Sequence, residues 1–381
     1  MRRFRTVGIL LTLCLTPVLL PAQSAPAMRD ILGALLDLTP LAVSPERFAD
    51  PANAERIDSA LQRLASNALG IDAHATGFAP VYDRVRRTFA DDARRALDAF
   101  EQGDLYLSRF VTRNLTRDCF ACHSRLPAAA ATDALQLAFA QIDLQQVPAG
   151  DRLRLLVSSR RFDSAMRLAE EMLDDRSIPA LQLDRWGVVE DYLKVALRVD
   201  RNPTRPRVAL ERFNSRDDLP TYLQLHSRAW VESLDRLGPT QAAEPGSESG
   251  TDLLERAEGL LASARAANLY LQDRRGLVDA TMASGLLHEY VLRPEAPSGR
   301  RAEAYYLLGL AEATISRGIW VPETEYFLEL AIRTAPGSPA ARSAFAFLEQ
   351  FVIANYTGSA GTDIPPDVIA RLRRLRQLAE G

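Results

Sequence analysis

From residue 28 to residue 126 the apolar side chains recur at three- and four-residue steps, with no stretch of strict alternation. That is the period of amphipathic helices, not of strands. The steps predict a first helix over residues 28–38, with Met28, Ile31, Leu32 and Leu35 on one face, ending before Pro40. A second spans 54–69, with Ile57, Leu61, Leu64, Ala65 and Ala68 as its stripe, and stops at Gly70. Pro80 suits the first turn of a third helix carrying Phe78, Val81, Val85, Phe89, Ala96 and Phe100. Gly103 followed by Asp104 reads as a helix stop and a new N-cap. A fourth helix then carries Leu107, Val111 and Leu115 up to residue 123.

Pro127 and Ala128–Ala131 form a short break, and from about residue 133 to 381 the pattern is helical again. Leu155, Phe162, Ala165, Leu168, Ala169 and Leu173 make one amphipathic stretch, and Arg161-Phe162-Asp163-Ser164-Ala165 reads as a turn between helices. Tyr305, Leu308 and Gly309 open one helix, and Leu328, Ala331 and Pro336 close the next. Residues 238–252 are rich in Gly, Pro, Ser and Thr and read as a flexible loop. Residues 356–361 read as a Gly/Ser loop before a closing helix from about Pro366. That loop is no phosphate cradle, since no lysine follows it and no strand precedes it. Arg371, Arg373, Arg374 and Arg376 on the closing helix read as a solvated stripe.

The start of the chain is different. Arg2, Arg3 and Arg5 precede an apolar run over residues 7–20, and then comes Pro21-Ala22-Gln23-Ser24-Ala25. A basic segment, a short apolar segment and small residues at the end are the features of a secretory signal peptide, here with cleavage expected after Ser24. Cys14 lies inside the apolar run behind the bulky Leu13, which does not suit a lipoprotein signal. No other apolar run reaches 18 residues, so the expectation is a periplasmic protein with no membrane span after cleavage.

Charge narrows the partners. Lys+Arg is 46 and Asp+Glu is 49, a net of −3; removing three arginines with residues 1–24 makes it −6. A dominant basic face for nucleic acid is excluded. Of the 46 basic residues, Lys194 is the single lysine.

Three cysteines are too few for a disulfide scaffold, but two of them sit together in Cys119-Phe120-Ala121-Cys122-His123. C-x-x-C-H is the attachment sequence of c-type haem. Two thiols a helical turn apart add across the two vinyl groups of one haem, and the following histidine falls beneath the iron as proximal ligand. A thioredoxin-like disulfide site would need a βαβ setting, and none surrounds it. A structural zinc site would need more Cys or His nearby, and none is present in the sequence.

With these helices and this motif, residues 25–127 resemble a class II cytochrome c, of the cytochrome c-prime and c-556 group. The resemblance implies a four-helix bundle with the haem attached near the end of its last helix. The first helix is shorter than that pattern, and only residues 119–123 match it specifically. Residues 133–381 resemble a degenerate tetratricopeptide-repeat array, which implies an α-solenoid. The Ala331-to-Pro336 spacing fits that repeat, while Gly309 to Ala331 is three residues longer than the repeat has it.

The expected whole is therefore all-α: a signal peptide over 1–24, a haem-carrying bundle over 25–127 and a solenoid over 133–381. Folding the third and fourth helices back at Gly103 brings the loop holding His74, and the start of the first helix with Met28, to the haem end. Either is a candidate distal ligand, and an open distal site is the third option. Arg117 and Arg125 flank the motif and could face haem propionates, though a solvated helix face is the reading preferred here. His226 and His288 read as ordinary partly buried histidines.

One haem c and no further catalytic constellation point to a non-enzymatic electron carrier serving a redox protein partner docked on the solenoid. The alternatives are binding or sensing of a small gas (NO or CO) at an open iron, and a peroxidase with His74 as acid–base group.

Overall fold

The computed structural model describes residues 25–68, 71, 83–125, 147–238, 248–269, 273–316, 322–359 and 361–381. The leader predicted over 1–24, and His74, lie outside them. The fold class is all-α: among the described residues there are seventeen α-helices and a single two-residue hairpin.

The first helices are α1 (Ala25–Ala42), α2 (Pro45–Ala49), α3 (Ala54–Ala68), α4 (Asp83–Glu101) and α5 (Leu105–His123). α3 follows its expected stripe, with Ile57, Leu61, Leu64 and Ala68 buried. α1 does not stop before Pro40 but runs through it to Ala42. Proline forfeits one backbone donor, but here only in the last turn. Thr39 Oγ1 donates to the Leu35 carbonyl (2.7 Å), and burial of Leu41 and Ala42 favours continuing. Ser44 caps α2, a short helix that the periodicity did not announce. Gly103 turns the chain at φ +79°, and Asp104 accepts from the Leu107 amide to start α5 (3.0 Å).

Helices α1, α3, α4 and α5 enclose one apolar core, from Ile31 and Leu35 through Ile57, Leu61 and Leu64 to Phe89, Val111 and Leu115. α5 runs antiparallel to α4, with Ser108 Oγ donating to the Ala96 carbonyl (2.8 Å). It is also antiparallel to α1, with Arg109 donating to the Ala42 carbonyl (3.1 Å).

The rest of the chain forms α6 (Ala149–Ser158), α7 (Phe162–Asp174), α8 (Ala180–Trp186), α9 (Val188–Lys194) and a π-helical turn at Val195–Val199. There follow α10 (Thr204–Asn214), α11 (Thr221–Leu237), α12 (Gly250–Ala267), α13 (Leu277–Val291), α14 (Ser298–Ile315) and α15 (Pro322–Thr334). α16 (Pro339–Asn355), the hairpin Thr357–Gly358 with Gly361–Thr362, and α17 (Pro366–Glu380) complete it. From α12 onward each helix packs on its successor, and α12, α14 and α16 also touch in order. A second core runs through all of these helices and takes in Leu32, Leu36 and Phe120 from α1 and α5. No described helix is long and apolar enough to cross a membrane.

Two further expectations differ from the structure. The loop expected over 238–252 ends sooner, because Ser249 caps α12 by accepting from the Asp252 amide (3.2 Å). The arginine stripe of α17 is only partly solvated. Arg371 is half-buried and pairs with Glu325 and Glu329, whereas Arg373, Arg374 and Arg376 are exposed, Arg376 pairing with Glu349.

Gly309 is where α14 meets α15: a Cβ there would lie 2.6 Å from Leu328 Cδ2 and 2.7 Å from its Cγ. Overpacking of this kind costs about 1–3 kcal/mol. Gly309→Ala should therefore lower unfolding stability by that amount. Gly299→Ala, in the open first turn of the same helix, should raise it by a few tenths of a kcal/mol to about 1 kcal/mol. Urea denaturation followed by circular dichroism distinguishes the two.

Candidate functional site

α5 is the element that both cores share, and its last turn carries the cysteine motif. On a helix of 3.6 residues per turn, Cys119, Cys122 and His123 fall within an arc of about 100°. Both cysteines are free thiols. Cys119 packs against the first core and Cys122 against the second, so the pair sits in the seam between them. His123 is buried, and Ser124 ends the helix with its amide on the Phe120 carbonyl (2.9 Å). Burial pushes the Cys119 thiol well up, with Ser158 within hydrogen-bonding reach, and pushes Cys122 up to about 11 despite Arg125 and Arg160 nearby. A redox-active C-x-x-C has a depressed thiol instead.

α5 and α6 run parallel: Arg113, midway along α5, pairs with Asp151 at the start of α6 (3.1 Å), and Cys119 meets Ser158 near both ends. Met28 also falls at the motif's level. It lies fourteen residues before Ala42 and His123 lies fourteen after Arg109, and Arg109 contacts Ala42 on an antiparallel helix. At about 1.5 Å per residue the two positions share one height along the pair. Met28 is half-buried against the first core.

Just past the motif lies a feature that sequence reasoning missed. Arg125, read as solvated, is buried. Its guanidinium pairs with Glu312 (3.1 Å) and with Glu323 (3.2 Å). The other oxygen of Glu312 accepts from Arg198 (2.9 Å) and from Ser284 Oγ (2.9 Å). His288, fully buried against Phe327, stands 3.9 Å from the same oxygen. Although burial alone would raise it, the two guanidiniums hold the Glu312 carboxyl well below the usual range. Burial lowers His288 to about 4. His226 is likewise buried and faces Asp273 at 3.5 Å. Nothing in the spacing of residues 125, 198 and 312 signals this convergence.

Beside the motif, between α5 and the helices from α6 to α14, opens a cavity of about 400 Å³. Arg117, Phe120, Ala121 and Ser124 face it from α5, whereas Cys119, Cys122 and His123 do not line it. Lys194 lies on its wall, pairing with Asp191 (3.6 Å), with its ammonium 5.7 Å from the Phe120 ring centre. Burial lowers the Lys194 ammonium. Asp118 on the same wall has a buried Oδ2 with no hydrogen-bond partner among the described residues. Burial beside Asp92 and Glu323 drives its carboxyl well up, toward the neutral form.

The structure thus brings together Cys119, Cys122, His123 and the level of Met28. His74 lies outside the described residues. No protein-family model, curated protein or solved structure matches the chain.

Removing the Glu312 charge leaves two buried guanidiniums facing a neutral amide, so Glu312→Gln should destabilise the fold by about 3–5 kcal/mol. Acid should do the same by a different route. The unfolded chain protonates its histidines near pH 6.5 while native His288 stays neutral to about 4, so stability present at pH 7 is lost as pH falls between those values. The loss through His288 amounts to about 3 kcal/mol at most. Glu312 adds to the loss below the ordinary carboxylate range. Urea unfolding from pH 7.5 to 4.5 should show this slope, and His288→Gln should remove the part of it above about pH 5.

Proposed function

We propose that the chain is a monohaem c-type cytochrome of the periplasm that passes single electrons to or from a protein partner held on its helical repeat region. The observation that carries this reading is Cys119-Phe120-Ala121-Cys122-His123 on the last turn of α5, with both thiols free and within one arc of the helix as the imidazole. The donor set fits covalent haem: Cys119 and Cys122 as thioethers and His123 as proximal ligand. When bound, the group supplies reversible one-electron iron chemistry.

The packing supports the two-part reading. A core enclosed by α1, α3, α4 and α5 suits a four-helix bundle over 25–127 with the motif at the end of its last helix. The serial packing of α12 to α17 suits an irregular solenoid within 133–381. The close approach of α14 and α15 at Gly309 is the kind of contact a small repeat position permits. Met28, level with His123 on α1, favours a filled sixth site over an open one, and methionine there raises the potential relative to a second histidine.

Expression with c-type maturation enzymes should give a protein whose haem stays attached on denaturation, and Cys119→Ser with Cys122→Ser should abolish that attachment. The reduced absorption spectrum should be low-spin and unmoved by carbon monoxide, and Met28→Ala should make it responsive. A wild-type spectrum that carbon monoxide shifts would instead favour gas binding. A chain that takes up no covalent haem would end the reading.

A further inference from the structure

The cavity beside α5 has an unusual wall. Seven cationic side chains reach it, six arginines and Lys194, against five carboxyls. The chain as a whole is acidic, so this excess is local. Four of the five carboxyls are engaged by those same cations: Glu312 and Glu323 at the floor, Glu190 by Arg274 (3.4 Å) and Asp191 by Arg154 (3.2 Å) and Lys194. The fifth, Asp118, tends to the neutral form. Arg117 and Arg185 make no hydrogen bond or ion pair among the described residues; both are exposed at the edge of the cavity. The result is a cavity with two guanidinium forks at its edge that make no hydrogen bond or ion pair among the described residues, an ammonium on its wall and a floor whose carboxylates are paired.

Positive charge crowded into a concave, partly desolvated site attracts an anion and raises its local concentration. Guanidinium forks match carboxylate and phosphate oxygens two at a time. Lys194 adds a point charge at the place where the chain's single lysine stands. A volume of about 400 Å³ lies within the range of small-molecule sites.

We propose that this cavity binds a compact polyanion bearing carboxylate or phosphate groups, held by Arg117 and Arg185 at the edge and by Lys194 within. The site is built by α5, α6, α8, α9, the π-helical turn, α14 and α15 and does not depend on the haem reading. Its position against Phe120 and Ala121 of the motif means that an occupant would lie next to the helix turn that carries the cysteines.

Citrate and pyrophosphate, titrated calorimetrically into the purified full chain at fixed ionic strength, separate carboxylate from phosphate as the recognised group. At least one should bind with a Kd below about 1 mM. Arg117→Gln with Arg185→Gln should weaken it at least ~10-fold, in keeping with loss of two charge-assisted contacts. Arg373→Gln with Arg374→Gln, on exposed α17, should leave it within about 2-fold, as expected for screened surface charge. Acetylation of Lys194 by an amine-directed ester, read by mass spectrometry, should slow several-fold in the saturating anion. The proposal falls if neither anion binds, if the two double variants weaken binding equally, or if Lys194 reacts at the same rate in the bound state. Binding confined to a Cys119→Ala, Cys122→Ala chain would also overturn it, since the cavity would then belong to the covalent group.

Discussion

Glu312 holds a negative charge where water hardly reaches, and two arginines from distant parts of the chain make this possible. An isolated carboxylate at that depth would take up a proton, because burial disfavours its charged form. Arg125, at the end of α5, and Arg198, in the π-helical turn, supply one guanidinium for each oxygen. Ser284 adds a hydroxyl donor from α13. The position of the cysteine motif depends on this set, because Arg125 is two residues beyond His123 and is fixed to α14.

The π-helical turn is part of the same arrangement. A π turn inserts one extra residue into a helix and re-aims the side chains beyond it. Here it brings Arg198 against α13, where Gly285 leaves room: a Cβ at 285 would stand 3.4 Å from the Arg198 Cα. The backbone irregularity, the glycine and the buried ion pair therefore belong to one local solution. Around it, the apolar side chains of α5 divide between two cores, with Val111 and Leu115 in one and Phe120 in the other.

Much of this is legible in the sequence because it is local. The stripes of α3, α4 and α5, the stop at Gly103 with its Asp104 cap, and the turn before Phe162 are written in neighbouring residues, and the helices obey them. Pro40 misleads because propensity is weighed against burial of Leu41 and Ala42, which only the tertiary fold provides. Arg125 misleads for a deeper reason. A charged residue on a helix end is ordinarily solvated, and its partners stand 187 and 198 residues further along. Periodicity reports which face of a helix is apolar, not which distant charge will meet it. The motif residues are identified by chemical spacing, whereas the cavity next to them, assembled from five or more segments, has no linear signature.

The same separation has a consequence for synthesis. A chain is made from its N-terminus at about 5–20 residues per second, so about 10–40 s pass between the appearance of Arg125 and that of Glu312, 187 residues later. During that interval α1 to α5 can assemble their own core and α6 can pack against α5, but Arg125 has no carboxylate from α14. The turn bearing Cys119, Cys122 and His123 therefore lacks its Glu312 latch until residue 312 has been made.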